Sequence, residues 1–440
     1  MSATPFDSAL MGKLFGDAEI GKLFSDSAAI RAMLLVEGTL AKAQAELGMI
    51  PADHAETIHR HALEVALDPG AMADAVAGDA TPVPALLAAF REAINAVEAR
   101  QYVHWGATSQ DIVDTALTLR LRQVLAILRA RLTATTQRLG QVAETHRALP
   151  MAARTWGAVA TPMSFGAAVA GWGMPLPRHL DRLSELEPRL LVVSLAGASG
   201  TLSAMGPDGA EVRAGLARGL RLGDPGGSWH SQRDRILELA HWAAGLAGSL
   251  GKMGEDMLLL ARTGEVSFGG GGGSSTMPQK QNPVQAGLLV ALCRQIEGQA
   301  AALAPAGHHR DQRDGPAWLL EWMILPQICI ALGRALEVAE GLARDIRPAP
   351  ATLRATIDDG TGLIYAEALS FALARVMPKP EAQKRVKELC LQARAEGSAL
   401  PDLAQAAWPD QDFGQLFTPE AQMGDAPAEA DRFAAIARAL

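Results

Sequence analysis

From Ala107 to Leu139 the chain carries neither glycine nor proline. Ile112, Leu119, Leu121, Leu125, Leu128 and Leu132 recur there near helical spacing, interleaved with Arg120, Arg122, Arg129 and Arg131. Thr108, Ser109 and Asp111 supply capping chemistry at the start. The helix can run on to His146, about 35 residues and roughly 50 Å. So long a helix needs neighbours of similar length, and the sequence offers them. Arg235 to Arg262 is free of proline and lined by Leu239, Leu246, Leu250, Met253, Met257 and Leu260. Val284 to Leu303 follows Asn282-Pro283, where asparagine can cap and proline fits the first turn. Ala317 to Ile346 is interrupted only by Pro326. The pattern predicts an all-α chain built around a bundle of long helices.

Breaks in the pattern divide the chain. Before Val103 the helical stretches are shorter and separated by Pro51, Pro69, Pro82 and Pro84. After Arg347, Pro348-Ala-Pro350 opens a tail of short helices punctuated by Pro378, Pro380, Pro401 and Pro409. The expected organisation is a helical domain over 1–106, the central bundle over 107–347, and a second helical domain over 348–440.

Composition narrows the function classes. Forty basic against 48 acidic residues give a formal charge of −8, a balance that argues against a protein living on nucleic acid. Cys293, Cys329 and Cys390 are odd in number and far apart, which excludes a disulfide scaffold and fits a reducing compartment. Met1 to Leu10 has neither a basic n-region nor an apolar h-region, so the expectation is a cytoplasmic protein. Thr155 to Pro177 holds no charge and is long enough to cross a bilayer. It also carries Pro162, Pro175, Pro177 and four glycines, and it reads as buried protein core, with no membrane partner. His54, His59 and His61 read as a solvated helix face, and no HExxH or His/Cys cluster has ligand spacing, so neither metal nor cofactor is expected.

Gly269 to Pro283 reads GGGGGSSTMPQKQNP. Five consecutive glycines cost backbone entropy and pack poorly, so a purely structural role is hard to defend. A P-loop needs Gly before Lys and Ser or Thr after it, whereas Gln279 and Gln281 flank Lys280. A dinucleotide fingerprint needs a preceding strand, and the pattern shows none. What remains is a mobile loop able to close over a site and deliver Ser274, Ser275, Lys280 and Asn282.

This segment resembles the GSSxMPxKxNP signature of the fumarase/aspartase superfamily. His104-Trp-Gly-Ala-Thr-Ser-Gln-Asp111 is similar to the HxGxTSxD box of its adenylosuccinate lyase branch, as are Gly197 to Thr201 and Gln232-Arg-Asp234. Within the superfamily the chain looks most like the bacterial 3-carboxy-cis,cis-muconate cycloisomerases, through GATSQDIVDTA (106–116), RTW (154–156), WHSQRDR (229–235) and RDGPAWLLEW (313–322). Where that family tends to have Glu-Arg-Asp, this chain has Gln312-Arg313-Asp314.

The resemblance implies Ser274 as the acid/base, with Lys280 and Asn282 stabilising an aci-carboxylate dianion. It implies that His104 works with Thr108 and Ser109 on a substrate carboxylate, and that Thr201, Gln232 and Arg313 make further carboxylate contacts. Trp156 stands where the amine-expelling lyases carry an acid histidine. Indole is a donor only, while a carboxylate leaving group, with a pKa near ~4, departs without a proton. Trp156 therefore favours a cycloisomerase acting on a small tricarboxylate. The alternatives are an adenylosuccinate lyase-like C–N lyase and a non-enzymatic structural relative. The resemblance also implies a homotetramer whose sites are shared between subunits.

Overall fold

The structure, a computed structural model, describes residues 4–269, 272–273, 276–277 and 279–440. The longer elements, in chain order, begin with helices α1 (Asp26–Glu46), α2 (Ala52–Glu64), α3 (Val83–Ala93) and α4 (Ser109–Thr145). Strands β1 (Pro150–Thr155) and β2 (Ala158–Ser164) follow, then α5 (Phe165–Gly173), α6 (Pro175–Leu190), α7 (Gly209–Leu220) and α8 (Asp234–Arg262). Three short strands, β3 (Val266–Phe268), β4 (Gly272–Gly273) and β5 (Gln281–Asn282), precede α9 (Val284–Leu303) and α10 (Gly315–Asp345). The chain closes with β6 (Ile346–Pro348), α11 (Lys379–Glu396) and α12 (Ala426–Arg438). The helical fold class is as the pattern predicts. The strands form three two-stranded sheets, β1–β2, β3–β6 and β4–β5, all antiparallel.

The chain divides into two compact units, each assembled from separate stretches. The first takes residues up to Arg131, His179–Gly248 and Ala291–Leu336. Its core gathers Leu34, Val36 and Leu40 of α1, Leu86 and Phe90 of α3, Ile112 of α4 and Leu216 of α7. Fully burying side chains of this size contributes about 1.5–3 kcal/mol each. The first turns of α4 are buried all round, polar residues included: Gln110, Asp111, Asp114, Thr115 and Thr118 are all nearly inaccessible. Burial obliges each of those groups to find a partner within the protein. Thr115, for example, both donates to Ser194 O (2.9 Å) and accepts from Ser194 N (2.7 Å). Among the described residues, α10 is the one helix long and apolar enough to cross a membrane. Buried Trp318, Leu325, Ile328 and Leu332 and an ion-paired Glu321 make it a core helix.

The second unit comprises Leu132–Arg178, Ser249–Val290 and Glu337–Leu440. Helix α5 packs on α12 so closely that a Cβ at Gly173 would lie 2.0 Å from the Phe433 ring, and only glycine fits. Here the uncharged stretch corrects the sequence reading. Phe165, Val169, Ala170 and Trp172 are core as expected, but Thr155 to Val159 is the exposed end of a β-hairpin. The α2 histidines also differ from expectation, each half-buried. His54 stacks on Tyr102, His61 Nδ1 meets Thr57 O at 2.8 Å, and burial pushes the pKa of His59 below its ordinary value.

Candidate active site

In the first unit, the start of α4 is organised by Asp111. One carboxylate oxygen accepts from Ala196 N (2.8 Å) and from His230 Nε2 (2.7 Å). The other accepts from Thr108 N and Gly197 N, both at 3.0 Å. This fully buried carboxylate therefore ties the 104–109 segment, the 196–201 loop and the 229–235 segment to one point. One turn further on, Asp114 accepts from Arg233 Nη1 (2.6 Å) and Trp318 Nε1 (3.0 Å). Arg233 also donates to Glu321 from Nε (2.7 Å) and Nη2 (2.6 Å), and stacks over the Trp229 ring at 4.6 Å. Burial alone would lower the Arg233 pKa, but the flanking carboxylates more than offset it and raise the pKa, keeping the guanidinium a cation.

On this frame sit the expected substrate contacts. Arg313, exposed, donates from Nη1 to Thr108 Oγ1 at 2.7 Å, and Ser109 opens α4 beside it. Arg313 is aimed by its neighbour: Asp314 accepts from Arg310 Nε (2.6 Å) and from Ala317 N (3.1 Å), fixing the loop ahead of α10. His104 adopts a left-handed backbone (φ 66°), and its Nδ1 lies 2.7 Å from Glu37 Oε1. Thr201 and Gln232 are exposed, the Thr201 hydroxyl lying 3.4 Å from that of Ser199. Thr108, Ser109 and Arg313 are thus brought together, with His104 on the turn just before them.

In the second unit, β1 and β2 pair Thr155 with Ala158, leaving Trp156 and Gly157 as a two-residue turn with φ of 55° and 78°. Two successive positive φ values suit the right-handed twist of a hairpin, where Asn-Gly is the usual choice. A tryptophan there costs about 1–2 kcal/mol of backbone strain. In the single chain its side chain is completely exposed. Below it, Arg154 donates twice to Glu265 (2.7 and 2.8 Å), and Thr263 donates to the same carboxylate at 2.5 Å. Glu265 immediately precedes β3, from which the glycine-rich segment departs. Beyond that segment, exposed Lys280 bonds back to Met277 O through its amide (3.0 Å), and half-buried Asn282 pairs with Gly272 in the β4–β5 ladder. Ser274 and Ser275 lie outside the described residues.

A family model described as lyase matches residues 17–298. The chain belongs to the fumarase/aspartase superfamily of lyases. Among its relatives, a 3-carboxy-cis,cis-muconate cycloisomerase of Pseudomonas aeruginosa is 40% identical over 400 residues, covering 89% of this chain and 87% of its own. An N-acetyl-S-(2-succino)cysteine lyase of Dickeya dadantii is 34% identical over 399 residues, covering 89% and 87%. The crystal structure of the 3-carboxy-cis,cis-muconate lactonizing enzyme from Pseudomonas putida matches with a TM-score of 0.91 at 34% identity, covering 98% of this chain and 99% of that one. The superfamily expected from the loop signature is established, and the chain is an enzyme of this lyase and cycloisomerase group.

Sequence reasoning gave Asp111 only a capping role and none to Asp114, His230, Arg233 or Glu321, although each lies in a segment that carried the resemblance. For Asp114 and Glu321 the signal was their type, since an acid inside an otherwise apolar run implies buried pairing; His230 and Arg233, in the polar run 229–235, carried no such signal. Glu37 was missed altogether, a lone acid between Met33-Leu-Leu-Val36 and Leu40.

Proposed function

We propose that this lyase-superfamily enzyme is a 3-carboxy-cis,cis-muconate cycloisomerase, closing its tricarboxylate substrate to 4-carboxymuconolactone in the protocatechuate branch of aromatic catabolism. The observation that carries the reading is the likeness to the Pseudomonas putida lactonizing enzyme over nearly the whole of both chains. In the reaction, one substrate carboxylate oxygen bonds to the ring-closing carbon of the diene. The electron pair of the attacked double bond moves to the adjacent carbon, beside a second carboxylate. Lys280 and Asn282 stabilise the resulting aci-carboxylate, and the Ser274 hydroxyl gives its proton to that carbon. His104, Thr108, Ser109 and Arg313 grip a carboxylate of the substrate, and Thr201 and Gln232 contact the remaining ones. In the reverse direction the leaving group is a carboxylate, which needs no acid, and Trp156 supplies none.

A second reading follows from the Dickeya dadantii relative. A thiolate leaving group, of pKa near ~8.5, also departs without strong acid assistance, so Trp156 separates both chemistries from an amine-expelling lyase but not from each other. The test is direct. Loss of diene ultraviolet absorbance with 3-carboxy-cis,cis-muconate is the expected result. Fumarate release from N-acetyl-S-(2-succino)cysteine, or from adenylosuccinate, without diene loss would overturn the proposal.

The working form in this reading is a cytoplasmic homotetramer. Residues 1–106 supply His104, 107–347 the bundle and the 269–283 loop, and 348–440 a terminal helical domain, with sites completed between subunits. Mixing inactive His104→Ala and Ser274→Ala proteins, after dissociation and reassembly, then restores part of the activity. An active monomer, or no recovery from verified hybrids, would exclude shared sites.

A further inference from the structure

The His104 turn is held twice from one helix. Glu37 and Gln44 stand seven residues apart on α1, two helical turns, and so share a face. Glu37 is buried with its side chain fully inaccessible, and its Oε1 accepts the Nδ1–H of His104 at 2.7 Å. Its other oxygen, Oε2, is buried and has no hydrogen-bond partner among the described residues. Gln44 donates from Nε2 to the carbonyl of Trp105, also at 2.7 Å. At these anchors the chain turns through two positive φ values, 66° at His104 and 72° at Gly106, on either side of Trp105.

Packing does not account for the carboxylate. Met33, Leu34, Val36, Leu40 and Ala41 around it on α1 are all buried, and in such surroundings an apolar residue of similar volume serves stability as well as or better than an ion pair. A half-satisfied buried carboxylate beside a left-handed histidine is a cost to the fold, and such costs collect at functional sites. The His104 side chain retains 14% exposure although its Nδ1 is committed to Glu37.

We propose that Glu37 is a positioning residue for His104, fixing the ring through Nδ1 so that Nε2 is the atom presented to a carboxylate of the substrate, while Gln44 pins the turn that carries the ring. This rests on the reading of His104 as a substrate contact. An acceptor-only carboxylate at Nδ1 sets both the ring rotation and which nitrogen carries the committed proton. Nε2 is then the remaining position, and in the charged ring it donates to a substrate carboxylate oxygen.

The test is a double-mutant cycle in the full-length enzyme with 3-carboxy-cis,cis-muconate, using Glu37→Gln, His104→Gln and the pair. We expect Glu37→Gln to lower kcat/KM about 10- to 100-fold, the range for losing a group that orients a working histidine, chiefly through KM. The double variant should be no worse than His104→Gln alone, because Glu37 acts through the ring. Multiplied losses in the double variant, or parent kinetics in Glu37→Gln beside an impaired His104→Gln, would overturn the positioning role. Parent kinetics in His104→Gln itself would instead remove His104 from the site, and the proposal with it. Glu37→Leu suits the apolar surroundings and keeps the test open if the amide does not fold. It should match or exceed the parent in thermal stability while losing activity, whereas parent activity in that variant would leave Glu37 a packing residue only.

Discussion

The polar residues at the start of α4 and those at the tip of the β1–β2 hairpin are treated in opposite ways. Asp111, Asp114 and Arg233 are wholly buried, Arg233 bonded directly to Asp114 and Asp111 to His230, so their chemistry is spent inside the protein. Trp156 is wholly exposed on a strained turn, with only the Arg154–Glu265 pair beneath it fixed. One region holds its geometry by satisfying every charge; the other holds a large side chain out in the open at a cost in backbone strain. The first is a frame for the proposed substrate contacts. The second has no reason in the folding of its own unit to be what it is.

That contrast can be broken at four points. Arg233→Met leaves Asp114 and Glu321 buried without their cation and should cost about 3–5 kcal/mol, read as a fall in the urea midpoint of unfolding. A variant as stable as the parent would show that the frame is not held by charge. Ser274→Ala should leave that midpoint unchanged while turnover drops at least ~100-fold, equivalent to about 2.7 kcal/mol in the barrier. Near-parental turnover would take Ser274 out of the mechanism. Trp156→Asn places a residue suited to positive φ on the hairpin and should raise stability by up to ~1 kcal/mol while lowering cycloisomerase turnover. Were activity unaffected, the strain at the turn would have no functional return. The smallest effect concerns pH. The Arg310 guanidinium, with the amides of Ala317 and Arg310, holds the Asp314 carboxyl well below the usual carboxylate range. Its folded pKa being depressed, its contribution is complete above pH ~4 and is lost as pH falls towards the folded value. Asp314→Asn should therefore flatten the acid limb of the stability profile below pH ~4, measured as the thermal midpoint, and a profile parallel to the parent's would refute this.

Much of the fold was legible. Apolar spacing with flanking Gly and Pro placed α8, α9 and α10 within a residue or two of where they lie, because long amphipathic helices write their period into the chain. The hairpin was not, since its outer end buries nothing and so leaves no alternation of apolar and polar positions to read. Thr108 and Arg313 were both singled out, yet the bond between them joins residues 205 apart, and no local pattern announces it. Glu37 was hidden for the same reason: its partner is 67 residues away. Sequence marks residues whose type is informative and stays silent on pairings made by tertiary structure alone.

The scattered make-up of the first compact unit bears on how the protein is made. Its last stretch ends at Leu336 of a 440-residue chain. At about 5–20 residues per second of synthesis, the ribosome takes tens of seconds to deliver that stretch after the first helices have emerged. During that interval the apolar faces of α1 and α3 and the buried acids of α4 wait without their final partners, Arg233 and Trp318 among them. No single cut in the polypeptide releases either unit whole, so fragments made by truncation should require chaperones or remain insoluble.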